Sequence, residues 1–244
     1  VRQAFVGAYL EADVTLSDGQ LVNNATGLMV ALGNPTLTRL TFTGNGKGLY
    51  TNNSSTTTTL SYSVFSRQTD SSIYLYNGTV NADHITVAAN QSVNAVQPTG
   101  GTTLRLTNSI IAQNLNYQLS VSGTLTPTYS DVWPNTNSGY TWTVGTSGNI
   151  SSNPNFINVS TDGGVDDFHL QSNSPCIGTA QGGGDMGAFP FSTGTVNSVV
   201  ITPTSGSVAA GGSLAFTATA YDAANNVVPG ATFSWSALPA AGTI

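Results

Sequence analysis

Apolar and polar side chains alternate in short runs along most of the chain, without the apolar spacing of an amphipathic helix. Four runs align, at RLTFTGN (39–45), SVFSRQ (63–68), HITVAAN (84–90) and NSIIAQN (108–114). Each run ends in an amide side chain, and these amides recur at nearly constant intervals, at positions 45, 68, 90 and 114. Alternation with period two inside a repeat of about 23 residues predicts short β-strands that stack from one repeat to the next.

Two positions in this repeat carry the same chemistry each time. Stacked coils of a parallel β-helix bring equivalent side chains ~4.8 Å apart. We therefore predict an interior apolar column and a structural amide ladder at a turn, where the amide residues adopt the left-handed conformation that Asn tolerates. The apolar column is Phe42, Phe65, Val87 and Ile111, and the ladder is Asn45, Gln68, Asn90 and Asn114.

Each repeat holds two further alternating runs, one after the amide and one before the next aligned segment. Examples are GLYT (48–51) and TTTL (57–60) in one repeat, and SIYLY (72–76) and TVNA (79–82) in the next. Three short strands in about 23 residues cannot enclose a core alone, so the coils must stack. The predicted fold class is all-β, a parallel β-helix with about 22–24 residues per coil.

The run TTLRLTNSIIAQN (102–114) resembles the coil sequences of right-handed parallel β-helix proteins, the pectate-lyase-like superfamily. The stretch 153–191, which contains DDFHLQSNSPCIGTA and GDMGAFPF, resembles the segment that closes the C-terminal end of many such β-helices. The resemblance implies a secreted β-helical domain over residues 1–194. It does not select a function, because the superfamily includes lyases, hydrolases, adhesins and phage spikes.

Residues 195–244 differ in character and resemble bacterial immunoglobulin-like domains of the Big type. The resemblance implies strands at VVITP (199–203), SLAFTATAYDA (213–223) and TFSWS (232–236), the last of which would bury Phe233 and Trp235. A whole domain of this kind has about seven strands and ~100 residues. We therefore expect the N-terminal half of a β-sandwich, truncated at the end of the sequence.

Charge is scarce, since Asp, Glu, Lys and Arg make up 7% of the 244 residues. Five residues are Lys or Arg and 11 are Asp or Glu, giving a formal net charge of −6. So few cations cannot neutralise a run of phosphates, which argues against nucleic acid as a partner. No apolar run approaches the ~20 residues of a membrane-spanning helix, so no transmembrane segment is predicted.

The carboxylates offer one candidate metal site and no evident catalytic pair. Asp162, Asp166 and Asp167 cluster in the closing segment, where the resemblance implies a turn-stabilising or structural Ca²⁺-binding role. No other cofactor is predicted. Glycoside hydrolysis needs two carboxylates that face each other. The spacings do not reveal such a pair, although folding can bring distant residues together.

The cations do not predict a lyase site either. A β-helix polysaccharide lyase needs a base of Arg or Lys type together with a carboxylate cluster that binds calcium. The single lysine, Lys47, lies in a turn, and Arg39, Arg67 and Arg105 occupy different places in the repeat. We therefore predict no catalytic residues, and we leave an enzyme open as an alternative with a groove where Asp, Arg and His converge.

Aromatic side chains give the clearest candidate binding surface. Alternation in SIYLY points Tyr74 and Tyr76 outward, and Tyr50 falls one repeat before Tyr74, so the two should stack. Outward tyrosines on an uncharged sheet bind sugar rings, or else stabilise the sheet as cross-strand pairs. Trp133 and Trp142 lie in an interruption of the repeat at 126–149, which forms either a binding loop or a cover over the coil.

These features predict an extracellular or cell-surface protein with a structural or adhesive role. Its neutral surface would contact glycans or identical subunits, as a subunit of a filament or array. The alternatives are a polysaccharide lyase or glycoside hydrolase, and a non-catalytic carbohydrate-binding module on the β-helix.

Overall fold

The computed structural model describes residues 5–91, 94–160, 164–192, 194–207, 211–222, 227–228, 231 and 233–236. The chain divides into two compact units, Val1–Pro190 and Phe191–Ile244, slightly before the boundary expected after residue 194. All the regular elements in the described ranges are β-strands, which confirms the all-β prediction. No helix long and apolar enough to cross a membrane occurs in those ranges.

The first unit is a parallel β-solenoid of about 6 turns, as the repeat predicts. Two or three strands form each turn. Turn by turn, they are β1 (Val6–Glu11), β2 (Thr15–Ser17) and β3 (Gln20–Val22); β4 (Thr26–Leu32), β5 (Thr36–Thr38) and β6 (Thr41–Thr43); β7 (Lys47–Ser61) and β8 (Val64–Ser66); β9 (Ser71–Asp83) and β10 (Thr86–Ala88); β11 (Asn94–Pro98), β12 (Thr103–Thr107) and β13 (Ile110–Ala112); β14 (Tyr117–Ser120), β15 (Thr124–Thr128) and β16 (Asp131–Trp133); and then β17 (Asn137–Ser138).

Within the described ranges these strands form two parallel sheets. The large sheet has 11 strands, and the small sheet has six in the order β16-β13-β10-β8-β6-β3. In β7 and β9 the two strands predicted per repeat run together as one. Register shifts between Thr51 and Thr57 bend β7 without ending it, because a bulge kinks a strand while pairing resumes beyond it.

The core is a set of side-chain columns along the solenoid axis. Phe42 pairs in register with Phe65, Phe65 with Val87, and Val87 with Ile111, and all four are fully buried. The two phenyl rings stack with centroids 4.3 Å apart and planes 5° apart. The column predicted from the spacing is therefore the centre of the core, and Leu21 and Val132 extend it at either end.

A segment that we name the strap, residues 153–160 and 164–190, covers the outer face of the small sheet. It contains the antiparallel pair β18 (Phe156–Asn158) and β19 (Asp167–Leu170). The resemblance placed this segment over the C-terminal end, but it lies along the side, because outward residues such as Val64 and Ile110 need cover from water. The anchoring contacts are Cys176 with Asp131, Gly187 with Asn108, Ala188 with Thr86, and Asp166 with Arg67.

Gly187 shows how closely the strap approaches the sheet. Its φ is +93°, and a Cβ there would lie 2.8 Å from Ile110 Cδ1. Only glycine fits this combination of conformation and contact.

The second unit contains one antiparallel pair in its described residues, β20 (Ser198–Thr202) with β21 (Thr217–Tyr221). The strand predicted over 213–223 is therefore shorter, and residues 233–236 are not in a strand. Phe233 and Trp235, expected to be buried, are 37% and 46% exposed, because no opposing sheet is present among these residues. The described part of this unit does not form an immunoglobulin-like sandwich.

Candidate functional site

The amide side chains form a buried ladder that connects successive turns. Each side-chain oxygen accepts the backbone N–H of the amide residue one turn earlier, as Gln68 Oε1 does from Asn45 at 2.8 Å and Asn90 Oδ1 does from Gln68 at 2.9 Å. Each NH₂ group donates to the backbone of the previous turn, for example from Asn90 to the Phe65 carbonyl at 3.1 Å. Asn24 and Gln118 continue the ladder at its two ends.

We expected the amide residue of this turn to adopt the left-handed conformation. In the structure, the residue before the amide adopts it. Gly44, Arg67, Ala89 and Gln113 have φ between 55° and 65°. The chain therefore turns at the residue before the amide, and the amide side chain points into the protein. The ladder thus joins coils and presents no amide to a ligand.

The outer surface of the large sheet carries a column of three tyrosines and one methionine that we name the tyrosine row: Tyr9, Met29, Tyr50 and Tyr74. These residues pair in register from β1 through β4 and β7 to β9. The rings of Tyr50 and Tyr74 stack with centroids 5.6 Å apart and planes 25° apart. Tyr76, two residues beyond Tyr74 and therefore on the same face, is 50% exposed.

The polar neighbours of the row keep it electrically neutral. The Lys47 ammonium lies 5.4 Å from the Tyr74 ring centroid and forms an ion pair with Asp70. Partial burial, and then the proximity of Tyr74 and Tyr76, raise the pKa of the Tyr50 hydroxyl. The Tyr50 hydroxyl is therefore protonated at neutral pH and can both donate and accept hydrogen bonds.

The two tryptophans do not join this row. Trp133 lies on β16 of the small sheet and is half-buried. Trp142 is 5% exposed, packs into the core beside Tyr140 and donates from Nε1 to the Ile150 carbonyl at 2.8 Å. The interruption at 126–149 therefore uses Trp142 to cover the last turn, and its ring is not accessible to a sugar.

Asp166 and Asp167 of the closing segment contact basic side chains and N–H groups of the protein itself. Asp166 accepts two hydrogen bonds from Arg67, at 2.8 and 2.9 Å, and one from the Ser160 N–H. Asp167 Oδ1 lies 2.6 Å from His169 Nδ1. So arranged, these two carboxylates do not fit a shared calcium site, and the third predicted ligand, Asp162, lies outside the described residues. The described residues contain no group of three or more His, Cys, Asp or Glu side chains placed to hold a metal ion.

A polar groove with a volume of about 430 Å³ lies further along the large sheet, at the ends of β9 and β12. We name it the Asp83 groove. Asp83 and Arg105 come from adjacent turns and both line it, and His84 Nδ1 lies 3.0 Å from Asp83 Oδ2. The remaining lining residues are Thr59, Asn81, Ala82, Thr107, Asn108 and Gln181 of the strap.

The sequence pattern did not reveal Tyr9 and Met29 in the row, or Tyr62 next to the groove. The Tyr62 ring stacks on His84 with centroids 4.9 Å apart. A usable signal was present, since Tyr62 and His84 directly precede Ser63 and Ile85, which occupy equivalent positions in successive repeats. Tyr9 and Met29 fall in the first two turns, where the repeat is weak.

No protein-family model matches this chain, and comparisons with curated proteins and with solved structures also find no match. Any function must therefore be argued from the geometry of the solenoid.

Proposed function

We propose that this chain is a non-catalytic structural and adhesive part of an extracellular or cell-surface protein, in which the solenoid is a rigid support and the tyrosine row contacts glycans. The observation that carries the proposal is the in-register column from Tyr9 to Tyr74 on an outer face with little charge. Flat aromatic faces with a hydroxyl at one end suit sugar rings, which present both C–H faces and hydroxyl groups.

The spacing of the row supports a linear glycan as the ligand. Its four positions are ~4.8 Å apart, so they extend over roughly 14 Å along the solenoid axis. The tyrosines are held by backbone pairing and by the Tyr50–Tyr74 stack, so binding costs little side-chain entropy.

The test is retention of the protein on insoluble polysaccharides such as cellulose, chitin and xylan. Combined alanine substitution of Tyr50, Tyr74 and Tyr76 is expected to abolish retention. The matched control is Tyr117→Ala, which removes an exposed tyrosine of the same sheet outside the row. Unchanged retention of the triple variant, equal loss in the control, or no retention of the parent protein would each overturn the glycan-binding role.

A filament or array subunit is a second form of the same structural role. The support is the low charge, 7% of residues, which leaves little long-range repulsion between identical copies. Light scattering and negative-stain microscopy of native material test it. Ordered fibres are expected, and a discrete monomer at all concentrations would count against assembly.

We also propose the hand of the solenoid and the fold of the second unit. Support for a right-handed helix of the pectate-lyase-like superfamily is the parallel pairing of all solenoid strands with one amide ladder, because connections between parallel strands of one sheet are right-handed in most proteins. Support for a Big-type immunoglobulin-like module after residue 194 is the antiparallel pairing of Ser198 through Thr202 with β21. A crystal structure that shows a left-handed coil, or no sandwich in a longer chain, would overturn them.

The alternative function is a polysaccharide lyase or glycoside hydrolase. The observation in its favour is the Asp83 groove, where a carboxylate, a guanidinium and a neighbouring imidazole come from two adjacent turns. Against it, Asp83 is the single carboxylate among the described lining residues, whereas glycoside hydrolysis uses two. Release of reducing ends or unsaturated products from a polysaccharide panel would favour the enzyme.

A further inference from the structure

The Asp83 groove contains a carboxylate whose position is fixed from two sides. Asn108 Nδ2 donates to Asp83 Oδ1 at 2.8 Å, and His84 Nδ1 faces Oδ2 at 3.0 Å. Because a carboxylate only accepts hydrogen bonds, Nδ1 is the protonated nitrogen of this imidazole. Each carboxylate oxygen keeps a second lone pair, so Asp83 can still accept a hydrogen bond from a ligand.

The strap orients the groove as well as lining it. The backbone N–H of Gln181 donates to Asn108 Oδ1 at 2.7 Å, which turns the NH₂ group of Asn108 toward Asp83. The Tyr62 ring, 45% exposed, supports His84 by stacking on its imidazole face. A chain of contacts from strap to sheet thus holds the carboxylate before any ligand arrives, which is how specific polar sites are preorganised.

Arg105 is the second charged group of the groove. Among the described residues, Arg39, Lys47 and Arg67 each pair with a carboxylate, whereas Arg105 has no carboxylate within 4.0 Å. Its hydrogen bond runs from Nη1 to Asn81 Oδ1 at 3.2 Å. A guanidinium has five N–H donors, so most of those on Arg105 remain for a ligand.

We infer that the Asp83 groove binds a neutral pyranose through two adjacent hydroxyl groups, one donating to Asp83 and the other accepting from Arg105. The opposite charges of these two residues cancel, which favours a neutral ligand. The carboxylate of a uronate would be attracted by Arg105 and repelled by Asp83. The ammonium group of an amino sugar would be attracted by Asp83 and repelled by Arg105.

This site uses none of the residues of the tyrosine row, so it goes beyond the proposed function and does not depend on it. The row would contact an extended chain, whereas the groove would take a single ring with hydroxyl specificity. The two sites can therefore be lost separately, and the experiment is designed to separate them.

The experiment is an NMR titration of the folded chain with the methyl glycosides of glucose, mannose, galactose and N-acetylglucosamine, observing the Asn108 side-chain amide and the Arg105 Nε–H. We expect at least one glycoside to shift the Asn108 signal saturably. Arg105→Ala and Asp83→Asn should each weaken that binding at least tenfold. Arg39→Ala is the matched control, because it removes another exposed arginine that lies outside the groove.

Three outcomes would overturn the inference: no glycoside shifts the groove signals, Arg105→Ala behaves like Arg39→Ala, or methyl galacturonate binds more tightly than every neutral glycoside. Folding of each variant is checked from the unchanged signals of the ladder amides. The triple tyrosine variant separates the two proposals. It should keep the glycoside titration while losing retention on polysaccharide, and loss of both would contradict an independent groove site.

Discussion

Arg67 and Asp166 are 99 residues apart in the sequence, and their side chains form a two-bond ion pair with N–O distances of 2.8 and 2.9 Å. Arg67 lies directly after β8 of the small sheet, and Asp166 lies in the strap just before β19. Arg67 also donates to the Gly164 carbonyl at 2.9 Å. One arginine therefore fixes several backbone and side-chain positions of the strap to the solenoid.

Asp166→Ala should loosen the strap and lower the free energy of unfolding by about 2 kcal/mol, because a hydrogen bond to a charged group contributes roughly 1.5–3 kcal/mol. The Asp166 side chain is 7% exposed, so water replaces its bonds poorly. Urea denaturation measures the change. Asp18→Ala, which breaks the Arg39–Asp18 pair with both side chains 58% exposed, should cost much less. Equal losses would show that Arg67 does not anchor the strap.

The same ion pair bears on calcium. Because the Arg67 guanidinium already neutralises the Asp166 carboxylate, we expect removal of calcium with EDTA to leave the melting temperature unchanged. The measurement is a thermal unfolding curve in EDTA and in millimolar CaCl₂. A fall in EDTA that CaCl₂ reverses would contradict this expectation and would favour the calcium site predicted from the sequence.

The stacked phenylalanines make the core sensitive to truncation. Phe65 lies between Phe42 and Val87 and is fully buried, so Phe65→Ala leaves a cavity in the middle of the column. The expected loss in the free energy of unfolding is about 4 kcal/mol. Tyr117→Ala, on the surface of the same solenoid, should change it by about 0.5 kcal/mol or less. A small loss at Phe65 would mean that the neighbouring turns collapse to fill the space.

Removing an amide from the ladder should lower the free energy of unfolding by an amount similar to that expected for Phe65→Ala. Asn90→Ala leaves the Gln68 N–H and the Phe65 carbonyl buried without the bonds that Asn90 supplies. We expect a loss of about 3 kcal/mol, because each such group costs roughly 1–3 kcal/mol. Gln91→Ala replaces the next residue, whose side chain is exposed, and should be close to neutral. A neutral Asn90→Ala would show that water takes the place of the amide.

The repeated part of the fold follows from spacing alone. Stacked turns reuse one backbone geometry, so the interval between Phe42 and Phe65, or between Tyr50 and Tyr74, is enough to place the two side chains side by side. The amide ladder follows from the same interval. The position of the left-handed residue differed by one, because the sequence pattern shows which side chain recurs and not which backbone angle it needs.

The strap contacts could not be predicted in this way. The pairs Arg67–Asp166 and Asp131–Cys176 join a repeating sheet to a segment with no repeat of its own, so no interval relates their positions. The Asp83 groove depends on the strap as well, because Gln181 orients Asn108. Sequence patterns thus located the aromatic face, while the groove required the three-dimensional path of the strap.

The buried carboxylate of Asp131 makes stability depend on pH. Burial raises the pKa of Asp131 from 3.8 to about 6, opposed in part by hydrogen bonds from the Ser152 N–H and the Cys176 thiol. Between about pH 4 and pH 6 the folded protein therefore holds a proton that the unfolded chain has lost. Stability is highest at the acidic side of this window and falls as the pH rises through 6.

A shift of about two pKa units corresponds to at most about 3 kcal/mol, so Asp131 by itself should make the protein more stable at pH 4.5 than at pH 7.5 by an amount of that order. Asp131→Asn keeps the size and can accept from Ser152 without ionising. Urea denaturation of both proteins across this window isolates the effect, because all other groups titrate in both. At pH 7.5 the free energy of unfolding of the variant should be higher than that of the parent protein. Below pH 5 this difference should fall to near zero or change sign. Parallel pH profiles would show that Asp131 is not the group responsible.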